Sequence, residues 1–198
     1  MRAIDNYNEI AEYTETRKIP AGAYEVKIMR AVPEPGVAPG TERYFAILFD
    51  ISDGEFKNYY SERFAADKKA YPQDAKYKGV LKLWYPNGGQ YDESSNRRMK
   101  TTLETIKRSN NLQIDFGKEW DGEQLKGCKV GLILRSQEYD YEGKHGFSAQ
   151  PFKIISLEDL REGNFTLPEP KYLNGSAPAQ GSNAASVLDV AIDDDLPF

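Results

Sequence analysis

The 198-residue chain has one cysteine, Cys128, one histidine, His145, and three methionines. A lone thiol excludes an intrachain disulfide, and one thiol with one imidazole leaves too few ligands for a Cys/His zinc site. Cys128 lies among alternating apolar residues and reads as core. No apolar run approaches the length of a membrane span, and the N-terminus has no leader-like pattern. The expected setting is a reducing cytoplasm, with no membrane partner. The chain also lacks a Walker-type phosphate loop and a Ser/His/Asp set. It therefore reads as a binding protein rather than an enzyme, with no cofactor and no metal. One carboxylate cluster, Asp50, Asp53 and Glu55, has the chemistry to hold Mg²⁺ for phosphodiester cleavage. Asp53-Gly54 is equally what a tight hairpin uses, and the turn is the preferred reading.

Aromatic side chains are plentiful: thirteen tyrosines and nine phenylalanines make the chain 12% aromatic with its two tryptophans. That favours β-structure and a surface that works through rings. Net charge is −5, but unevenly spread: four of the 31 acids lie in residues 174–198, which hold no Lys or Arg. The rest carries 27 acids against 26 bases, near enough to neutral to present one basic face.

Residues 1–19 read as an arm or short helix, with Ile4, Tyr7 and Ile10 at helical spacing. Residues 20–173 read as one domain. Period-two alternation marks strands at Ala23–Val32 (Tyr24, Val26, Ile28 against Glu25, Lys27) and Arg43–Ile51 (Phe45, Ile47, Phe49, Ile51). A third strand is expected at Glu55–Phe64, with Phe56, Tyr60 and Phe64 on one side. Residues 65–96 form an insertion whose only apolar run is Val80–Tyr85. Arg97–Asn110 reads as a helix on Met99, Leu103 and Ile106. Strands follow at Gly127–Tyr139 and Phe147–Ser156, then a helical turn at Leu157–Glu162. Three strands, a helix and a closing hairpin match a mainly β, five-stranded OB-type barrel. A different small barrel or an α+β sandwich fits the same order. From Asn174 the composition is that of a flexible, disordered linker, leading to an acidic tip.

Sequence-tolerant binders of single strands stack bases on rings and hold phosphates with Lys and Arg. The outward sides of the second and third strands have that interleaving at Arg43, Tyr44, Lys57, Tyr59 and Arg63. The insertion adds Lys76, Tyr77, Lys82, Trp84 and Tyr85 as a basic-aromatic clamp, although Trp84 suits a core anchor for that loop slightly better. Arg97, Arg98 and Lys100 sit where the helix is expected to start. Cations there oppose the dipole, so helix stability does not explain them, whereas phosphate contacts would. The loop Tyr139–His145 offers Tyr141 and Lys144 as a groove rim, with His145 as ordinary surface.

The C-terminus, Asp193-Asp194-Asp195-Leu196-Pro197-Phe198, combines anions, a proline that limits docking entropy and a terminal ring able to fill a partner's pocket beside a basic rim. These six residues resemble the acidic tip of bacterial single-stranded-DNA-binding proteins, whose usual ending has isoleucine where this chain has Leu196. The resemblance implies that the tip docks replication and recombination proteins in a bacterial host cell. The body departs from that family at the insertion. It is more similar to phage- and mobile-element-encoded proteins of the same role, along Ile19–Tyr24, Lys78–Gly88, Arg97–Lys100 and from Asp121–Lys126 to Arg161–Gly163. That likeness implies single-stranded DNA as the ligand without identifying contacts. A protein-interaction adaptor that uses the tip without binding DNA stays open beside it. So does the oligomeric state: assembly into a homo-oligomer would help one small barrel coat a strand.

Overall fold

The computed structural model describes residues 17–36, 42–86, 89, 91–141 and 143–173. The expected N-terminal helix on Ile4, Tyr7 and Ile10, the linker and the tip Asp193–Phe198 lie outside these residues.

Five strands form one antiparallel sheet: β1 (Gly22–Pro35), β2 (Glu42–Ile51), β3 (Val80–Trp84), β4 (Lys129–Tyr141) and β5 (Lys144–Ile155). Their spatial order is β3-β2-β1-β4-β5, so the fourth strand returns to lie beside the first, in Greek-key order. Among the described residues three α-helices accompany them, α1 (Tyr59–Ala70), α2 (Asp92–Ser109) and α3 (Leu157–Glu162), with a 3-10 turn at Gly122–Leu125. Among the described residues the sheet is open. Its edges β3 and β5 approach each other without a ladder between them.

The core lies on one face. Val26, Ile28 and Ala31 of β1 meet Phe45, Ile47, Phe49 and Ile51 of β2, Leu81 and Leu83 of β3, and Val130, Leu132 and Leu134 of β4. Leu103 and Ile106 of α2 close over them. Each of the Val, Leu, Ile and Phe side chains stabilises the fold by roughly 1.5–3 kcal/mol relative to exposure.

Two expectations are corrected. Residues 55–64 are no strand; they form a turn and the first half of α1. Phe56, Tyr60 and Phe64 recur every four residues, a spacing that fits a helix as well as a strand. The deciding contacts are tertiary: the buried Asp50 carboxylate at the end of β2 accepts the backbone N–H groups of Tyr60 and Ser61. These are among the first-turn donors that a helix leaves unpaired. The third strand is instead Val80–Trp84, inside the presumed insertion. Helix α2 also begins earlier than expected, with Asp92 and Glu93 in its first turn. Arg97, Arg98 and Lys100 therefore do not sit at the helix start, and the dipole argument for them falls.

Strand β1 contains a bulge. Its register against β2 passes from Ile28–Phe49 to Arg30–Leu48, leaving Met29 as an extra residue. Such an insertion reverses which side each later residue faces. Alternation from Val26 and Ile28 would send Arg30 into the core; the bulge turns Arg30, Val32 and Glu34 to the opposite face.

Candidate nucleic-acid interface

The face of β1–β2–β3 away from the core carries a mixture of rings and cations. Cross-strand pairing sets Tyr44 opposite Trp84, Ala46 opposite Lys82 and Leu48 opposite Val80. Phe45, Ile47, Leu81 and Leu83 occupy the core face, so the pleat turns Tyr44, Lys82 and Trp84 outward. Tyr44 and Trp84 meet edge-on, with centroids 5.3 Å apart and planes at 66°. The Arg43 guanidinium lies 5.3 Å from the Trp84 centroid, and the Lys82 ammonium 5.0 Å from that of Tyr44. Trp84 is 48% exposed, which settles its role against a core anchor.

Arg30 shares this face, opposite Leu48. Only the bulge brings it there, and no residue pattern in the sequence signals it. The face also carries acid: Glu34 pairs with Tyr44 across β1 and β2, and Glu42 begins β2. Tyr85, just beyond β3, is half-buried. Burial first, and then the Glu42 carboxylate, push its phenol up to about 12.

The other predicted residues are distributed differently. Lys57 is exposed on the turn before α1, where its N–H donates to the Gly54 carbonyl. Tyr59 packs edge-on against Phe56 and Tyr60, at 6.0 and 5.1 Å between centroids. The Tyr59 hydroxyl accepts from Arg63 at 3.3 Å, and the Arg63 side chain is only 14% exposed. Both belong to the packing of α1 rather than to an open strand face. Tyr77 donates to the Phe49 carbonyl at 3.0 Å, and burial pushes its phenol up to about 12; it holds the loop onto β2. Lys76 and Lys100 are exposed. Arg97 pairs with Glu93 one turn earlier on α2. Arg98 donates to the Phe152 carbonyl at 2.8 Å. Tyr141 and Lys144 face each other as the last pair of the β4–β5 hairpin.

That hairpin also carries Phe147 and Glu138, and His145, expected as ordinary surface, has a partner there. Phe147 is exposed and meets Tyr172 edge-on at 5.7 Å. His145 bonds Glu138 at 2.7 Å, and the other Glu138 oxygen accepts the Leu173 N–H at 2.9 Å. Beyond Leu134 the hairpin outgrows β1, and Lys171 takes up the freed edge by a parallel bridge to Gln137. Among the described residues no group of three or more His, Cys, Asp or Glu is placed to hold a metal ion. Asp50 in particular is committed to α1.

No protein-family model matches the chain, and no curated protein matches it in sequence.

Proposed function

We propose that this protein binds single-stranded DNA with little sequence preference on the outer face of β1–β2–β3, in DNA replication or recombination. Partner proteins are recruited through the tip Asp193–Phe198. The observation that carries the reading is the Tyr44–Trp84 ring pair interleaved with Arg43 and Lys82 on an open strand face. Rings of this kind each stack an unpaired base for about 1–3 kcal/mol, and the cations take the adjacent phosphates.

The strand order supports an OB-type barrel. OB folds are partly open five-stranded Greek-key barrels that bind oligonucleotides on the face of strands two and three, and the ring pair lies on β2 and β3. Helix α2, between β3 and β4, also fits that layout.

Glu34 and Glu42 beside the ring pair favour one competing reading, an adaptor that docks replication enzymes through the tip without touching DNA. Filter binding of oligo(dT) to W84A and Y44A separates the two. Under the DNA-binding reading both variants lose affinity for the strand and keep tip-dependent docking. Unchanged retention of oligo(dT) by both variants would remove this face from the account.

A further inference from the structure

Phe152 is the extra residue of a second bulge. The β4–β5 register passes from Ile133–Lys153 to Leu134–Pro151, so nothing on β4 stands opposite it. Bulges re-aim side chains and are over-represented beside functional sites. Here two arginines from different elements converge on the bulged residue. Arg98 of α2 donates to its carbonyl at 2.8 Å, and the Arg135 guanidinium of β4 lies 4.7 Å from the centre of its ring.

Neither guanidinium is in an ion pair with a carboxylate among the described residues. Burial, and then the neighbouring Arg135, hold Arg98 below the ordinary arginine value. Both guanidinium groups reach Phe152, so two like charges converge there without a neutralising carboxylate among the described residues. A guanidinium has five N–H donors in a planar fork suited to phosphate, and the Phe152 carbonyl engages one of those of Arg98. Arg98 also lines a cavity of about 280 Å³ together with Leu83, Trp84, Ser94 and Ser95. Arg98 therefore shares a cavity with the exposed indole.

We propose that Arg98 and Arg135, converging on the bulged Phe152, bind an internucleotide phosphate of the strand whose base stacks on Trp84. The site rests on the DNA-binding reading and extends it, because it sets the path of the strand. From the face of β2 and β3 the backbone crosses the seam between the two sheet edges, β3 and β5, where α2 supplies Arg98. An anion there relieves the repulsion between the arginines and gains charge-assisted hydrogen bonds from both.

The test is the salt dependence of oligo(dT) binding by the full chain and its R135Q, R135K, R98Q and K118Q variants. Each phosphate neutralised on a single strand contributes about −0.7 to the slope of log K against log salt. R135Q should flatten the slope by about 0.7 and weaken binding severalfold at low salt, with its melting temperature and the Trp84 quench retained. R135K keeps the charge and should keep the slope. R98Q should flatten it likewise, and K118Q, whose ammonium is paired with Asp115, should leave it unchanged. If the wild type binds and W84A does not, yet R135Q keeps the full slope, the phosphate site is wrong while the ring face stands. If the wild type does not bind oligo(dT) at all, both are wrong.

Discussion

The Asp50 carboxylate accepts the Tyr60 N–H at 3.0 Å through Oδ1 and the Ser61 N–H at 2.9 Å through Oδ2. The penultimate residue of β2 thereby caps α1 from a buried position, and the polar start of the helix is satisfied without water. Asn58, immediately before α1, makes no side-chain cap and has a left-handed backbone, so Asp50 does the work usually given to the N-cap. Only Tyr60 of α1 is fully buried. The cap is accordingly a large share of what holds this helix to the sheet.

D50A leaves both N–H groups without their anion and should lower the unfolding free energy by about 2–3 kcal/mol, as read in urea denaturation. D50N keeps one acceptor and should lose less. Mg²⁺ should shift neither midpoint, because this carboxylate is a cap rather than a metal ligand.

Trp84 should report on the ligand and contribute little to the fold. W84A should change stability by no more than about 0.5 kcal/mol. Its affinity for single strands should fall by about tenfold to a hundredfold, the equivalent of one lost stacked base. Trp120, packed between Phe45 and Phe116, should go on emitting in W84A with no response to DNA.

Gly79 is required by proximity rather than by its backbone angles. A β-carbon there would stand 2.4 Å from the Phe49 carbonyl oxygen and 2.9 Å from the Tyr60 ring. G79A should therefore cost about 1–3 kcal/mol, measured by thermal or urea unfolding, and should disturb β3 pairing beside the ring face.

The contact between Glu138 and the Leu173 N–H should loosen in acid, while the Lys171 bridge holds. The Leu173 N–H, and then His145, hold the Glu138 carboxyl below its ordinary value of 4.5. A group depressed in the folded state contributes fully above its unfolded value and loses that contribution as pH falls through the folded one. The clip is thus intact above about pH 4.5 and opens below it. The Leu173 amide resonance should titrate with a midpoint under that value, and E138Q should abolish the titration.

Much of this fold was legible from alternation alone. Strands β1, β2 and β4 fall where one side of each is apolar, β5 shows it less regularly, and α3 falls where Ser156 can cap it and Gly163 can end it. The misread segment, 55–64, shows why periodicity fails: residues four apart satisfy two periods at once, and the arbiter, Asp50, acts from a different strand. β3 was visible only as an apolar run because it is five residues long and embedded in polar loops. For the candidate site, the sequence offers Arg43, Tyr44, Lys82 and Trp84 one by one, but their meeting depends on cross-strand register. Arg30 and Arg135 were missed. A bulge turns Arg30 outward, and the one at Phe152 gives Arg135 its contact; an extra residue in one strand leaves no mark on a single sequence.

The most direct measurement is a fluorescence titration of the full chain with single-stranded oligo(dT) and with duplex of equal length, at graded salt. Quenching of Trp84 should favour the single strand strongly, and its affinity should decline with salt by about 0.7 per phosphate held. Equal affinity for duplex and single strand, or an indole that never responds, would contradict the assignment of this ring-lined face.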